Sequence, residues 1–200
     1  MPAGRLATFN AGFGLADRVA DGVVVQVLYA PSARTRETAA ELARGLGGGL
    51  LTQNKSRARV APPRAESAIR NFQFIVDGHP VPPTDRMHAS LPASAEHNPY
   101  LQAFWRAMKD PIGYWLAHPS ASAETPAAVA ARLRAFFVSL LAAKSEGLYV
   151  LVTHSGPMRA FLREALGADP GEPDFCEMFR VTADGVHYRG QRVAFRLVGV

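Results

Sequence analysis

The stretch that most constrains the fold is Leu148 to Arg159, Leu-Tyr-Val-Leu-Val-Thr-His-Ser-Gly-Pro-Met-Arg. Leu148 to Val152 is a near-continuous apolar run, the pattern of a strand covered on both faces in a parallel sheet. Thr153-His154-Ser155-Gly156 breaks it. Pro157 suits the first turn of a helix, where its missing N–H has no intrahelical partner to lose. The helix is predicted to reach about Leu166 and stop at Gly167. His154 therefore stands between a strand end and a helix start, beside free backbone N–H groups that favour an anion. A packing histidine at a strand end is the plainer alternative.

A second unit repeats this plan. Val23 to Tyr29 is β-branched and nearly all apolar, a second buried strand, and Ala30-Pro31-Ser32 ends it. A helix is predicted from about Ala33 to Leu46, with Ala39, Leu42, Ala43 and Leu46 on one face and Gly47-Gly48-Gly49 closing it. Leu50 to Thr52 is then expected to be a short third strand, as a βαβ unit requires. If the two long strands are parallel, both breaks fall at the carboxyl edge of the sheet, where open α/β sheets bind ligands. Arg34 follows the first break. A cation in the first helical turn opposes the helix dipole by about 0.3–1 kcal/mol, so its position is better accounted for by an anion against it. Arg36 is the second candidate but faces another way along the helix. A guanidinium fork and an imidazole converging over two helix N-termini suit a dianionic phosphoryl group.

The rest of the chain is read around these units. Residues 1–22 are Gly- and Ala-rich and show no clear element, with turns at Asn10-Ala-Gly and Asp21-Gly22. Residues 53–98, with Pro62-Pro63 and Pro82-Pro83, read as the start of a long excursion over one edge of the sheet, covering 53–122 in all. Within it, Tyr100, Phe104, Trp105 and Trp115 suggest two short helices between Glu96 and His118, broken at Asp110-Pro111, whose aromatics serve as core. Glu124-Thr125-Pro126 opens a helix from about Ala127 to Lys144. Phe175 to Thr182 and Val186 to Tyr188 flank a hairpin turn at Ala183-Asp184-Gly185, and Val193 to Val198 is a last strand. No repeat or linker divides the chain. The expectation is one α/β domain over 1–200, three-layer α/β/α with a mostly parallel central sheet.

Composition narrows the function. Hydrophobic content of 48% and charge of 20% are globular values. No apolar run approaches the roughly 20 residues that cross a bilayer, and the first residues lack a signal-peptide core, so a cytoplasmic protein is expected, with no membrane partner. Cys176 is the only cysteine, and His79, His88, His97, His118 and His187 lack ligand spacing, so no metal and no cofactor are expected. The net charge of +5 and pI near 9.8 raise nucleic acid as a partner. The cations are mostly dispersed arginines with no aromatic-interleaved stripe, which fits a solvated surface plus an anion pocket, and no nucleic-acid partner is expected.

At this point the chain resembles the histidine phosphatase superfamily, with its phosphoglycerate mutase-like fold. Leu28-Tyr-Ala-Pro-Ser-Ala-Arg34-Thr-Arg-Glu-Thr38-Ala39 is similar to that family's strand followed by "SPLxRAxxTA". Val150-Leu-Val-Thr-His154-Ser-Gly156 is similar to its hydrophobic strand and T/S-H-x-G. Ala123-Glu124-Thr125 with Arg132 is similar to its "GES…R" helix start. The resemblance covers most of residues 10–167. It implies a phosphohydrolase acting on a small phosphomonoester through a phosphohistidine, with Arg34, His154, Ser155 and Gly156 on the phosphate. Asn10 corresponds to an asparagine of the same pocket, and Glu66 to the acidic proton donor, with Glu124 and Asp77 as fallbacks. The departure is at the N-terminus. The family's nucleophile is a histidine in an Arg-His-Gly triplet ending a first strand, whereas here no histidine precedes His79 and no strand is read before Val23. Two readings stay open: a phosphohydrolase whose sequence starts downstream of its nucleophile, and a non-catalytic relative that binds a phosphorylated ligand. A basic nucleic-acid-associated protein is a third, resting on pI alone.

Overall fold

The computed structural model describes residues 3–83, 92–143 and 147–194. Its elements are, in chain order, α1 (Ala3–Leu15), β1 (Val24–Tyr29), α2 (Ala33–Thr52), β2 (Arg59–Ala65), β3 (Phe74–Val76), β4 (His79–Val81), α3 (Ala93–His97), α4 (Pro99–Arg106), α5 (Pro111–Ala117), α6 (Pro126–Ala142), β5 (Gly147–Val152), α7 (Ser155–Leu166), β6 (Arg180–Thr182), β7 (Gly185–Tyr188) and β8 (Gln191–Val193). Single 3-10 turns occupy Ala16–Arg18 and Ser67–Ile69.

The apolar runs behave as their composition demands. β1 is the centre of a three-stranded parallel sheet of order β2-β1-β5. Its side chains alternate between two cores. Val25 and Val27 face α2, packing with Ala39, Leu42, Leu46 and Leu50. Leu28 faces the opposite layer, a larger core that includes Phe72, Trp115, Leu133 of α6 and Phe161 of α7. The architecture is therefore helix, sheet, helix. β6-β7-β8 form a separate antiparallel sheet and β3-β4 a hairpin. No helix among the described residues is long and apolar enough to cross a membrane.

The structure corrects several sequence-based expectations. Leu50–Thr52 is the end of α2, and the third strand is β2, which contains Pro62-Pro63. Prolines are tolerated there because β2 is an outer strand, and its register with β1 shifts between Gln26 and Leu28, opposite that pair. Residues 3–15 are a helix. α1 lies against α2 so closely that a Cβ on Gly12 would strike the Leu42 carbonyl, and one on Gly45 the Phe9 carbonyl. Gly45 and Gly49 of α2 give α1 its seat, a Cβ on Gly49 likewise striking the Phe13 carbonyl. The excursion is less irregular than expected, holding β2, the β3–β4 hairpin and three short helices where two were read. Only Arg180–Thr182 of the Phe175–Thr182 stretch is strand; of the strand expected over Val193–Val198, Val193 ends β8, Ala194 is not strand, and the remainder lies outside the described residues.

β5 holds an unusual place. Its sequence is that of an interior strand, yet among the described residues it is the outer strand on its side, and Leu148, Tyr149, Val150 and Leu151 stay only half-buried.

Candidate active site

Both strand–break–helix units deliver their breaks to the carboxyl edge, as parallel strands must. Ala30 N–H donates to the Val152 carbonyl at 2.9 Å, so the two breaks begin side by side. Ser32 caps α2, its Oγ accepting from Thr35 N–H at 3.3 Å. Thr35 Oγ1 donates back to the Ala30 carbonyl, which makes the turn rigid. Arg34 is the second residue of α2 and is exposed. His154 is the N-cap of α7 but offers no side-chain cap. Of the first three residues of α7, Pro157 has no N–H, which leaves the Ser155 and Gly156 N–H groups without intrahelical partners.

The imidazole of His154 reaches across to the other unit, Nε2 lying 3.4 Å from Ser32 Oγ. Its Nδ1 is buried with no partner. Burial, and secondarily the charge of Arg34, push the His154 pKa down to about 4. The structure thus brings Arg34 and His154 into one electrostatic neighbourhood over the starts of α2 and α7.

The third side of the site is the segment after β2. Glu66 N–H donates to the Tyr29 carbonyl at 2.9 Å, which places Glu66 at the same edge. Its carboxylate accepts from Ala68 N–H at 3.0 Å. Thr153 Oγ1 donates to the Ile69 carbonyl at 2.7 Å, and a Cβ on Gly156 would lie 3.2 Å from Asn71 Oδ1, so residues 66–72 lean on the His154 loop. Glu124, just ahead of α6, accepts both Nη groups of Arg70 (2.9 and 3.2 Å) and is paired with Arg132 as well. Two guanidinium groups, from Arg70 and Arg132, thus engage the Glu124 carboxyl. Asp77 sits in the β3–β4 turn, engaged by Ser94. Asn10 is exposed on α1 and hydrogen bonds to no residue of this edge. The other described histidines lie on β4 (His79), α3 (His97), the end of α5 (His118) and β7 (His187). Among the described residues no group of three or more His, Cys, Asp and Glu side chains is placed to hold a metal ion.

α7 itself is anchored by Arg159, almost fully buried and ion-paired with Asp110 at 2.6 Å, Asp169 at 2.6 Å and Glu172 at 3.0 Å. Burial opposes its charge, but the hydrogen bonds it donates to Asp110 and Asp169 outweigh that, and its pKa is raised. The sequence reading missed Ser32, Thr153 and Arg159 as contributors. Ser32 carried a signal, a serine just before a helix; the other two act on parts of the chain remote in sequence.

A parallel sheet covered on both faces, with helix starts gathered at its carboxyl edge, defines the class: an α/β protein of phosphoglycerate mutase-like architecture. The chain belongs to the histidine phosphatase superfamily (branch 1), whose sequence profile matches residues 91–200, more than half of it. His154 lies inside the match, while Arg34 and Glu66 precede it. Among solved structures, Bacillus stearothermophilus YhfR is similar with a TM-score of 0.55 and 17% identity, over 98% of this chain and 86% of that one. A mycobacterial glucosyl-3-phosphoglycerate phosphatase complexed with VO3 is similar with a TM-score of 0.50 and 17% identity, over 94% of this chain and 83% of that one. No curated protein sequence matches the chain.

Proposed function

We propose that this carboxyl edge binds the phosphoryl group of a small phosphomonoester between Arg34 and His154, as part of a phosphohydrolase that works through a phosphohistidine. The observation that carries this reading is the His154 imidazole, buried, unpartnered at Nδ1 and under the charge of Arg34. A neutral buried imidazole beside a guanidinium is poised to take a proton when a dianion enters, and the free N–H groups of Ser155 and Gly156 add two donors. Arg34 grips two phosphoryl oxygens, and His154 offsets the charge that grows on them in transfer.

The attacking imidazole is the remaining part. A strand laid parallel along the open edge of β5 and ending in Arg-His-Gly would bring its histidine to the same edge as His154 and Ser32. In the first step that histidine nitrogen bonds to phosphorus as the ester P–O bond breaks, and Glu66 gives the leaving oxygen its proton. In the second, water attacks phosphorus and gives a proton to the Glu66 carboxylate left by the first step, as the N–P bond breaks and phosphate leaves. Reading the coding DNA upstream in frame tests this directly: an apolar strand ending in Arg-His-Gly supports it, and an immediate in-frame stop counts against it. In a form carrying that strand, His154→Ala and Arg34→Ala should each lower kcat by about 10²–10³. Losses of tenfold or less in both would remove them from the site.

A second reading, a non-catalytic phosphate-ligand binder, is favoured by the position of the other described histidines, none of which lies on the β1, β2 or β5 edge segments. It predicts that the chain binds phosphate or vanadate without turning over an aryl phosphate. Hydrolysis by this chain, abolished by His154→Ala, would reject it.

A further inference from the structure

Three consecutive carbonyls in the wall opposite His154 are captured by side chains from elsewhere. Arg132, on α6, donates from Nη1 to the Ala68 carbonyl at 2.7 Å and to the Arg70 carbonyl at 3.1 Å. Thr153, next to His154, takes the Ile69 carbonyl between them. Arg132 is itself mostly buried and paired with Glu124, and burial lowers its pKa. Keeping a guanidinium there is costly unless its hydrogen bonds are needed. The stretch it holds carries Glu66 at one end and Asn71 against Gly156 at the other.

We propose that Arg132 is a positioning residue for the anion site, acting through the 68–70 backbone and not on the ligand. It does two things. It ties the Ala68 and Arg70 carbonyls to α6, and so fixes the backbone that carries Glu66 and Asn71. It also presses the wall onto the His154 loop through the Ile69–Thr153 bond, which keeps water from the imidazole. The inference rests on the phosphate-binding reading above, yet one of its readouts is independent of that reading.

The test compares Arg132→Met, Arg132→Lys and Thr153→Val with the wild-type chain. Inorganic phosphate binding is measured by titration calorimetry, and the His154 ring is titrated by NMR without ligand. Arg132→Met, folded by circular dichroism, should bind phosphate at least tenfold more weakly. Its His154 should titrate at least one pH unit higher than in wild type, as the wall loosens and water enters. Arg132→Lys, which keeps the charge and a carbonyl contact, should recover phosphate affinity to within about threefold. A purely structural arginine would lower the melting temperature and leave the His154 titration where it was. If Arg132→Met fails to fold, Thr153→Val must show the same upward shift. An unmoved titration in a folded variant overturns the proposal. Absence of phosphate binding by the wild type would overturn the function above, while the titration would still decide the role of Arg132.

Discussion

His154 is the residue on which the chemistry and the stability of the site both turn. Its folded pKa of about 4 lies below the value near 6.5 of an unfolded chain, so between those pH values the unfolded state takes a proton that the folded state refuses. Its contribution is fully present above about pH 6.5, declines as pH falls, and is gone below about pH 4. The shift corresponds to on the order of 3 kcal/mol. Urea unfolding at pH 7.5 and 4.5 should therefore show a smaller loss for His154→Gln than for the wild type. An equal loss in both would mean that the imidazole is not held neutral. His154 and Arg34 were legible in sequence because strand, break and helix fix where such residues stand before any packing is known. Arg132 and Thr153 were not legible as a clamp, because their partners are carbonyls of the 66–73 segment, and a carbonyl leaves no mark in side-chain periodicity.

At the scale of elements, the α1–α2 pair is the sharpest case. A Cβ at Gly45 lands on the Phe9 backbone, whereas one at Gly47, two residues further on the same helix, meets nothing within 4 Å. Gly45→Ala should thus cost about 2 kcal/mol or more through forced separation of the helices, and Gly47→Ala should gain about 0.5–1 kcal/mol from helix propensity. Thermal melts of the two variants should move in opposite directions. α1 escaped the sequence reading because it has one charged residue, two glycines after its midpoint and no capping signal, so no amphipathic stripe marks it. α6, with Thr125 as cap and Pro126 in its first turn, was read almost to its boundaries. β2 was missed for the opposite reason: its proline pair reads as a break, and only its place at the edge makes a strand of it.

Across the whole molecule, the helix–sheet–helix layering followed from the two apolar runs, while the separation of β6-β7-β8 from the main sheet did not. Arg159 joins α7 to the start of α5 and to the loop after α7, so Arg159→Met should destabilise the protein by about 3 kcal/mol, read as a lower urea midpoint. Asp110 and its partners keep some solvent, which holds the loss below that of a sealed pair. Hydrogen exchange should show the β1 amides as the slowest, with every second amide of β5 exchanging fast, since a parallel outer strand bonds on one side only. The sheet is moreover hindered from addition at β2, where Pro62 and Pro63 lack donors, and among the described residues is open at β5. Growth of the sheet is thereby directed to the one margin that flanks the His154 loop, and any strand of a second copy would compete there with the Arg-His-Gly strand for the same row of donors.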